Sequence, residues 1–191
     1  MKKLVIGLVG IALLATIITV LKKQSKHATY TIGILQTASH PALEEAQNGF
    51  MEELKNQLGD SVDFVIQNAQ GSIASAHTSA EKFHNNPHIC AIYAIATPAA
   101  QAMSAVEKEK PIFIAAVTDP HALGFVYPET NVCGTTDMID IPAEIEMLIQ
   151  LIPQTKTVGL IYASGELNSE ILAKKMRTEL ERQNKEVIDF T

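Results

Sequence analysis

The chain has 191 residues, 47% of them hydrophobic and 19% charged, with 15 Lys plus Arg against 21 Asp plus Glu and no Trp. That length holds one ordinary domain or somewhat more, and so much apolar side chain excludes a disordered segment. Five of the basic residues (Lys2, Lys3, Lys22, Lys23 and Lys26) precede residue 27, so the acidic remainder has no basic stripe for phosphates and nucleic acid is excluded as its partner.

Residues 4–21, LVIGLVGIALLATIITVL, form an uncharged run of 18 between Lys2-Lys3 and Lys22-Lys23. A helix of that length rises about 27 Å, close to the hydrocarbon thickness of a bilayer and longer than the apolar core of a usual signal peptide. No small-x-small cleavage site follows it, and no Cys stands at its end to accept lipid. An uncleaved signal-anchor within residues 1–26 is therefore favoured over a cleaved leader. The expected location is the inner (cytoplasmic) membrane, facing the periplasm or outside; cleavage would leave a periplasmic protein. Cys90 and Cys133 both fall in short extended stretches, where buried free thiols are expected rather than a disulfide.

From residue 30 strand and helix patterns alternate. TIGILQ (31–36) reads as a strand, residues 42–58 as a helix with Leu43, Ala46, Phe50, Leu54 and Leu58 on one stripe, and SVDFVIQ (61–67) as a strand. A helix at 72–86, strand 89–95, helix 98–108 and strand 111–117 continue the pattern, followed by an irregular stretch over 118–139 and a helix at 142–152. This pitch predicts βαβ units: an α/β fold with a parallel, doubly wound sheet covered by helices on both faces.

A second start follows at an offset of 126. Thr31-Ile32-Gly33-Ile34-Leu35 recurs as Thr157-Val158-Gly159-Leu160-Ile161, Glu53, Leu54 and Gln57 as Glu179, Leu180 and Gln183, and Asp63-Phe64 as Asp189-Phe190. Strand 156–162, helix 168–184 and a strand from Glu186 thus repeat the opening plan, which predicts two lobes, the second incomplete because two strands do not close a stable sheet alone.

Ligands of open parallel sheets bind beyond the carboxyl ends of the strands. The loops there are small and polar. Thr97 before Pro98, and Ser39 or His40 before Pro41, read as helix caps with Pro in the first turn, and such helix starts suit a carboxylate. Asp119 ends an apolar strand with no basic residue nearby in sequence, so it suits a ligand ammonium. Together these groups describe an amino-acid site; the plainer alternative is that Asp119-Pro120 begins a turn and that Thr97, Ser39 and Asn68 only cap helices.

The segments QTASHPALEEA (36–46), QNAQG (67–71), ATPAAQ (96–101) and AVTDP (116–120) resemble the tryptophan-type ABC transporter substrate-binding proteins, in order over residues 30–191. The resemblance implies a type I periplasmic-binding-protein fold of two α/β lobes joined by a hinge. It implies an aromatic or other hydrophobic amino acid as ligand, delivery to an ABC permease with its ATPase, and no cofactor. It divides the chain into 1–26 leader or anchor, 30–130 lobe one, 131–155 hinge and crossover helix, and 156–191 incomplete lobe two. Ser39, His40, Thr97, Pro98, Thr118 and Asp119 would then line lobe one's side of the cleft, and Asn168 and Ser169 lobe two's. Tyr162-Ala163-Ser164-Gly165 and Asn131-Val132-Cys133-Gly134 depart from the family's Tyr-Asn-Pro and Asn-Val-Thr-Gly loops.

Two other chemistries are weaker. Ser39, His40 and Asp119 hold the letters of a catalytic triad, but adjacent residues rarely align as nucleophile and base, and no G-x-S-x-G elbow, G-x-G-x-x-G loop or P-loop follows any strand; no enzyme is expected. His77, His84 and His88 lack an acidic or Cys ligand at metal-binding spacing, so no metal is expected. The remaining alternative to an importer component is a membrane-tethered ligand sensor or a non-transporting remnant.

Overall fold

The structure, a computed structural model, describes residues 29–126 and 128–191; the apolar run 4–21, on which the membrane-anchor expectation rests, lies outside the described residues. Among the described residues no helix is long and apolar enough to cross a membrane.

Five strands make the first sheet: β1 (Tyr30–Gln36), β2 (Val62–Asn68), β3 (Ile89–Ile95), β4 (Ile112–Val117) and β5 (Val132–Thr136). Their order is β2-β1-β3-β4-β5 with every neighbouring pair parallel, so the chain reverses direction across the sheet between β1 and β3. Such a switch point leaves a crevice beyond the carboxyl ends of the two strands. The crossovers are α1 (Pro41–Leu58), α2 (Ile73–His84) and α3 (Thr97–Val106).

Both sheet faces are used, as the alternation predicts. Leu35, Ile92, Ile112 and Ile114 pack with Phe83 of α2 and Met103 of α3 on one face. On the other, Ile34, Tyr93 and Ile95 pack with Leu43, Phe50 and Met51 of α1, the Phe50 and Tyr93 rings stacking 4.0 Å between centroids. Gly33 lets α2 sit close to the sheet: a Cβ there would stand 2.9 Å from the Phe83 ring.

The second sheet pairs β6 (Thr157–Ile161) with β7 (Glu186–Phe190), also parallel. α4 (Ile141–Leu151) and α5 (Leu167–Arg182) cover one face through Ile141, Ile145, Leu160 and Leu180.

Three expectations change. The irregular stretch 118–139 contains β5, which extends the first sheet into the segment expected to be hinge. Cys90 and Cys133 are free but exposed. Cys90 lies where the β1–β3 register shifts, its thiol donating to the Thr31 carbonyl (3.4 Å). Cys133 is on the edge strand opposite Phe113, itself 40% exposed, at the end of the sheet furthest from α1. Finally, the internal repeat slips. Thr31 pairs with Asp63, but Thr157 pairs with Glu186, not Asp189. α1 is followed by a short 3-10 turn (Gly59–Ser61) before β2, whereas α5 is two residues shorter and has no such turn. A three-residue slip reverses the side-chain faces, so Phe64 packs beneath α1 while Phe190 lies over Gly159 on the uncovered face.

At the amino ends of the strands, buried Glu107 ties the layers together. Its carboxylate accepts from the Glu109 and Lys110 N–H groups (2.8 and 3.0 Å) and faces His84 Nδ1 (3.1 Å) and Lys110 Nζ (3.6 Å). Lys110 Nζ also donates to the Phe83, His84 and Asn86 carbonyls at the end of α2. Burial pushes the Glu107 carboxyl up, but these donors outweigh it and hold it at about 2.

Candidate functional site

Two cavities open between the sheets. One, about 610 Å³, lies beyond β1, β2 and β3: Thr37, Ala69, Ser72 and Pro98 face Ala163 and Glu166 of the β6–α5 loop across it. The other, about 620 Å³, lies between the loop after β4, the β5–α4 connection and α5, with Asp119, Ile139, Pro142, Ile171 and Lys175 among its walls. The loops after β3 and β4 adjoin, since the Thr118 N–H donates to Thr97 Oγ1 at 3.5 Å.

The backbone along this edge is strained. Ala96 takes φ 73° and ψ 161°, a region left almost entirely to glycine, and Gln70 and Ala116 have φ 53° each. Each such residue costs about 1–3 kcal/mol and persists where the surroundings impose it, as they do around ligand sites.

The expected cap residues have different duties. Thr97 is not the cap of α3: Ala96 occupies that position, and the capping oxygen comes from Thr37, whose Oγ1 accepts from the Ala99 N–H (3.1 Å) and donates to the Ile95 carbonyl (3.0 Å). With Pro98 lacking an N–H, α3 offers less to a carboxylate than its sequence promised. His40 caps α1, its Nδ1 accepting from the Ala42 N–H (3.3 Å), and Ser39 Oγ accepts from Asn68 Nδ2 (3.1 Å). Ser72 caps α2. α5, by contrast, begins at Glu166 with no side-chain cap, and the buried Asn168 Oδ1 in its first turn has no partner among the described residues. Ser169 follows, half-buried. Thr118 is buried, its carbonyl accepting from Thr136 Oγ1 (2.9 Å).

Asp119 has a partner that its sequence neighbourhood did not reveal. Its Oδ2 accepts from Lys175 Nζ at 2.7 Å, across the gap between the sheets, and its Oδ1 accepts from the Ala122 N–H at 3.0 Å. The Lys175 ammonium and the Ala122 N–H hold the Asp119 carboxyl below the usual carboxylate range. Of the expected residues, Pro98 lines the first cavity and Asp119 the second, whereas Ser39, His40, Thr97, Thr118, Asn168 and Ser169 flank the cavities without lining either. Ser39, His40 and Asp119 form no triad, each being held by a different group. Of the three histidines weighed for metal, His84 faces Glu107, His77 lines the first cavity, and the His88 backbone N–H donates to Asn86 Oδ1. Among the described residues no group of three or more His, Cys, Asp or Glu gathers at metal-binding distance.

A family profile described as "ABC transporter substrate binding protein" matches residues 31–191. The chain belongs to that family. This is a family of solute-binding proteins and not of enzymes. A tyrosine-binding protein of Clostridioides difficile (strain R20291) is 35% identical to this chain over 175 residues, 88% of this chain and 50% of that one. Two solved structures are each 30% identical. One is a conserved domain protein from Vibrio cholerae O1 biovar El Tor, with a TM-score of 0.78 over 85% of this chain and 57% of that one. The other is an ABC domain from Streptococcus pneumoniae in complex with L-Trp, with a TM-score of 0.77 over 84% of this chain and 56% of that one. The fold is thus of the type I periplasmic-binding-protein kind, and the chain spans about half the length of the relatives it matches.

Proposed function

We propose that this chain is the extracytoplasmic substrate-binding component of an ABC importer and takes a small hydrophobic or aromatic amino acid, tryptophan-like, between its two lobes. The observation that carries the reading is the Asp119 carboxylate, which stands on the wall of the second cavity and reaches across the gap to the second lobe, where it can accept a ligand ammonium. Asn168 and Ser169 stand in the first turn of α5, on the second lobe's side of the cleft. The adjoining loops bring Thr97, Pro98 and Thr118 beside Asp119, and Ser39 and His40 order the loop after β1. Ile139, Ile141, Pro142 and Ile171 supply apolar wall for the side chain. Such a site needs no cofactor.

The named ligands of the relatives, tyrosine in one and L-Trp in another, support an amino acid as the class. Residues 1–26 would hold the protein at the inner (cytoplasmic) membrane facing the periplasm, beside its permease and ATPase partners; cleavage would release a periplasmic form. Lobe one would end near residue 130 with β5 added to its sheet, residues 131–155 would form the hinge and crossover, and residues 156–191 the second lobe's share.

A thermal-shift panel of the twenty amino acids against the full chain in dodecyl maltoside micelles tests the ligand class. Tryptophan, tyrosine or leucine should raise the melting temperature, and Asp119→Asn should remove the rise. Stabilisation by none of them rejects the reading. Co-purification with a permease and ATPase supports import, and ligand binding with a signalling protein as the partner instead supports a tethered sensor.

A further inference from the structure

We propose that Lys175 is a tethered competitor for the ammonium subsite: its Nζ occupies Asp119 before a ligand arrives, latches the two sheets together, and is displaced by the ammonium of the incoming amino acid. This rests on the amino-acid reading of the cleft.

Lys175 and Asp119 are 56 residues apart and belong to elements packed on different sheets, yet their charged atoms are 2.7 Å apart. The Lys175 ammonium has the chemistry of an amino acid's own: one positive charge and up to three N–H donors on a compact head. Asp119 is ready for either. Its side chain is only 14% exposed, and its Oδ1 is already fixed by the Ala122 N–H, so the carboxylate keeps its orientation when the lysine leaves. Lys175 is 47% exposed, so its released head swings directly into water.

The other acids on the same wall are engaged elsewhere. Asp140 caps α4 through the Ala143 N–H (3.2 Å), and Glu179 pairs with Arg182 and Gln183 within or just beyond α5. Asp119 is therefore the carboxylate that Lys175 meets across the gap. A ligand that must evict an internal group binds more weakly, in proportion to the fraction of molecules in which the subsite is free. Because the evicted group sits on the opposite lobe, ligand capture and the hold between the lobes are linked.

The test compares the full chain with Lys175→Met, Asp119→Asn and the double variant, in micelles, titrated into tryptophan and into its deaminated analogue, indole-3-propionate. Lys175→Met should tighten tryptophan about tenfold, should leave indole-3-propionate unchanged, and should have no effect on tryptophan once Asp119 is Asn. Equal or weaker binding of tryptophan by Lys175→Met overturns the proposal, as does an equal gain for the deaminated analogue. A second readout needs no ligand. With spin labels on Cys133 and on Ser164→Cys in a Cys90→Ser background, the distance between the lobes should lengthen and broaden in Lys175→Met. An unchanged distance overturns the latch, whereas a lengthened distance in a chain that binds no amino acid upholds the latch and rejects the ligand reading instead.

Discussion

Thr37 Oγ1 holds together two elements that the sequence places far apart, accepting from Ala99 and donating to Ile95. Thr37→Val keeps the shape and removes both bonds, so it should cost about 1–2 kcal/mol in urea unfolding, with α3's first turn the first amides to lose exchange protection. Glu107 acts at the opposite end of the sheet. Its carboxyl is held at about 2, below the ordinary value of 4.5. A carboxyl lowered by folding contributes its full stability above the unfolded value and loses it as pH falls towards the folded one. Stability of the natural chain should therefore fall between pH 4.5 and 2 partly through this group, and Glu107→Gln should flatten that slope while costing about 3 kcal/mol at neutral pH. An unaltered slope would show that Glu107 is not the titrating group. At this scale the sequence was least informative. Asp119 stood out because it ends an apolar strand, but Lys175 lies 56 residues away and only the packing of α5 brings it there. Thr97 beside Pro98 carried the local signature of a cap, yet the capping oxygen arrives from Thr37 in another loop.

Strands and helices were far more legible, because burial writes its period directly into the chain. β3 runs over the expected residues 89–95, and each of the other expected elements lies within two residues of its expected bounds at both ends. β5 was legible only as a short extended stretch around Cys133 and not as a strand of the first sheet, for a physical reason: VCGTT is five residues long, has one buried residue and contains a glycine, so it carries neither an apolar run nor a clean alternation. Gly134 is nevertheless what lets β5 pair. It lies opposite Ile114 with φ 152°, and a Cβ there would collide with the Ile114 backbone. Gly134→Ala should break the β4–β5 ladder and destabilise the chain by about 3 kcal/mol or more, measurable as a large drop in urea midpoint. A drop smaller than about 0.5 kcal/mol would mean that the edge strand yields without loss. The repeat was legible as far as the second helix, and only the missing 3-10 turn, a matter of connection length, put β7 three residues out of register.

At the scale of the whole molecule, the alternating pattern and the loop motifs were enough to place the parallel sheet and the family, while the strand order and its switch point came only with the structure. The arrangement of the two lobes was not, because it depends on contacts such as Asp119 with Lys175 that join distant parts of the chain. On the proposed reading, the gap between the lobes captures an amino acid. The absence of Trp makes this directly measurable, since free tryptophan reports its own binding by fluorescence anisotropy against a background without protein tryptophan. Titrating the full chain into tryptophan, with the other amino acids as competitors, should give saturation in the micromolar range, about −8 kcal/mol. No saturation up to millimolar protein, with the chain shown to be folded and no amino acid altering its melting temperature, would rule out amino-acid capture by this chain.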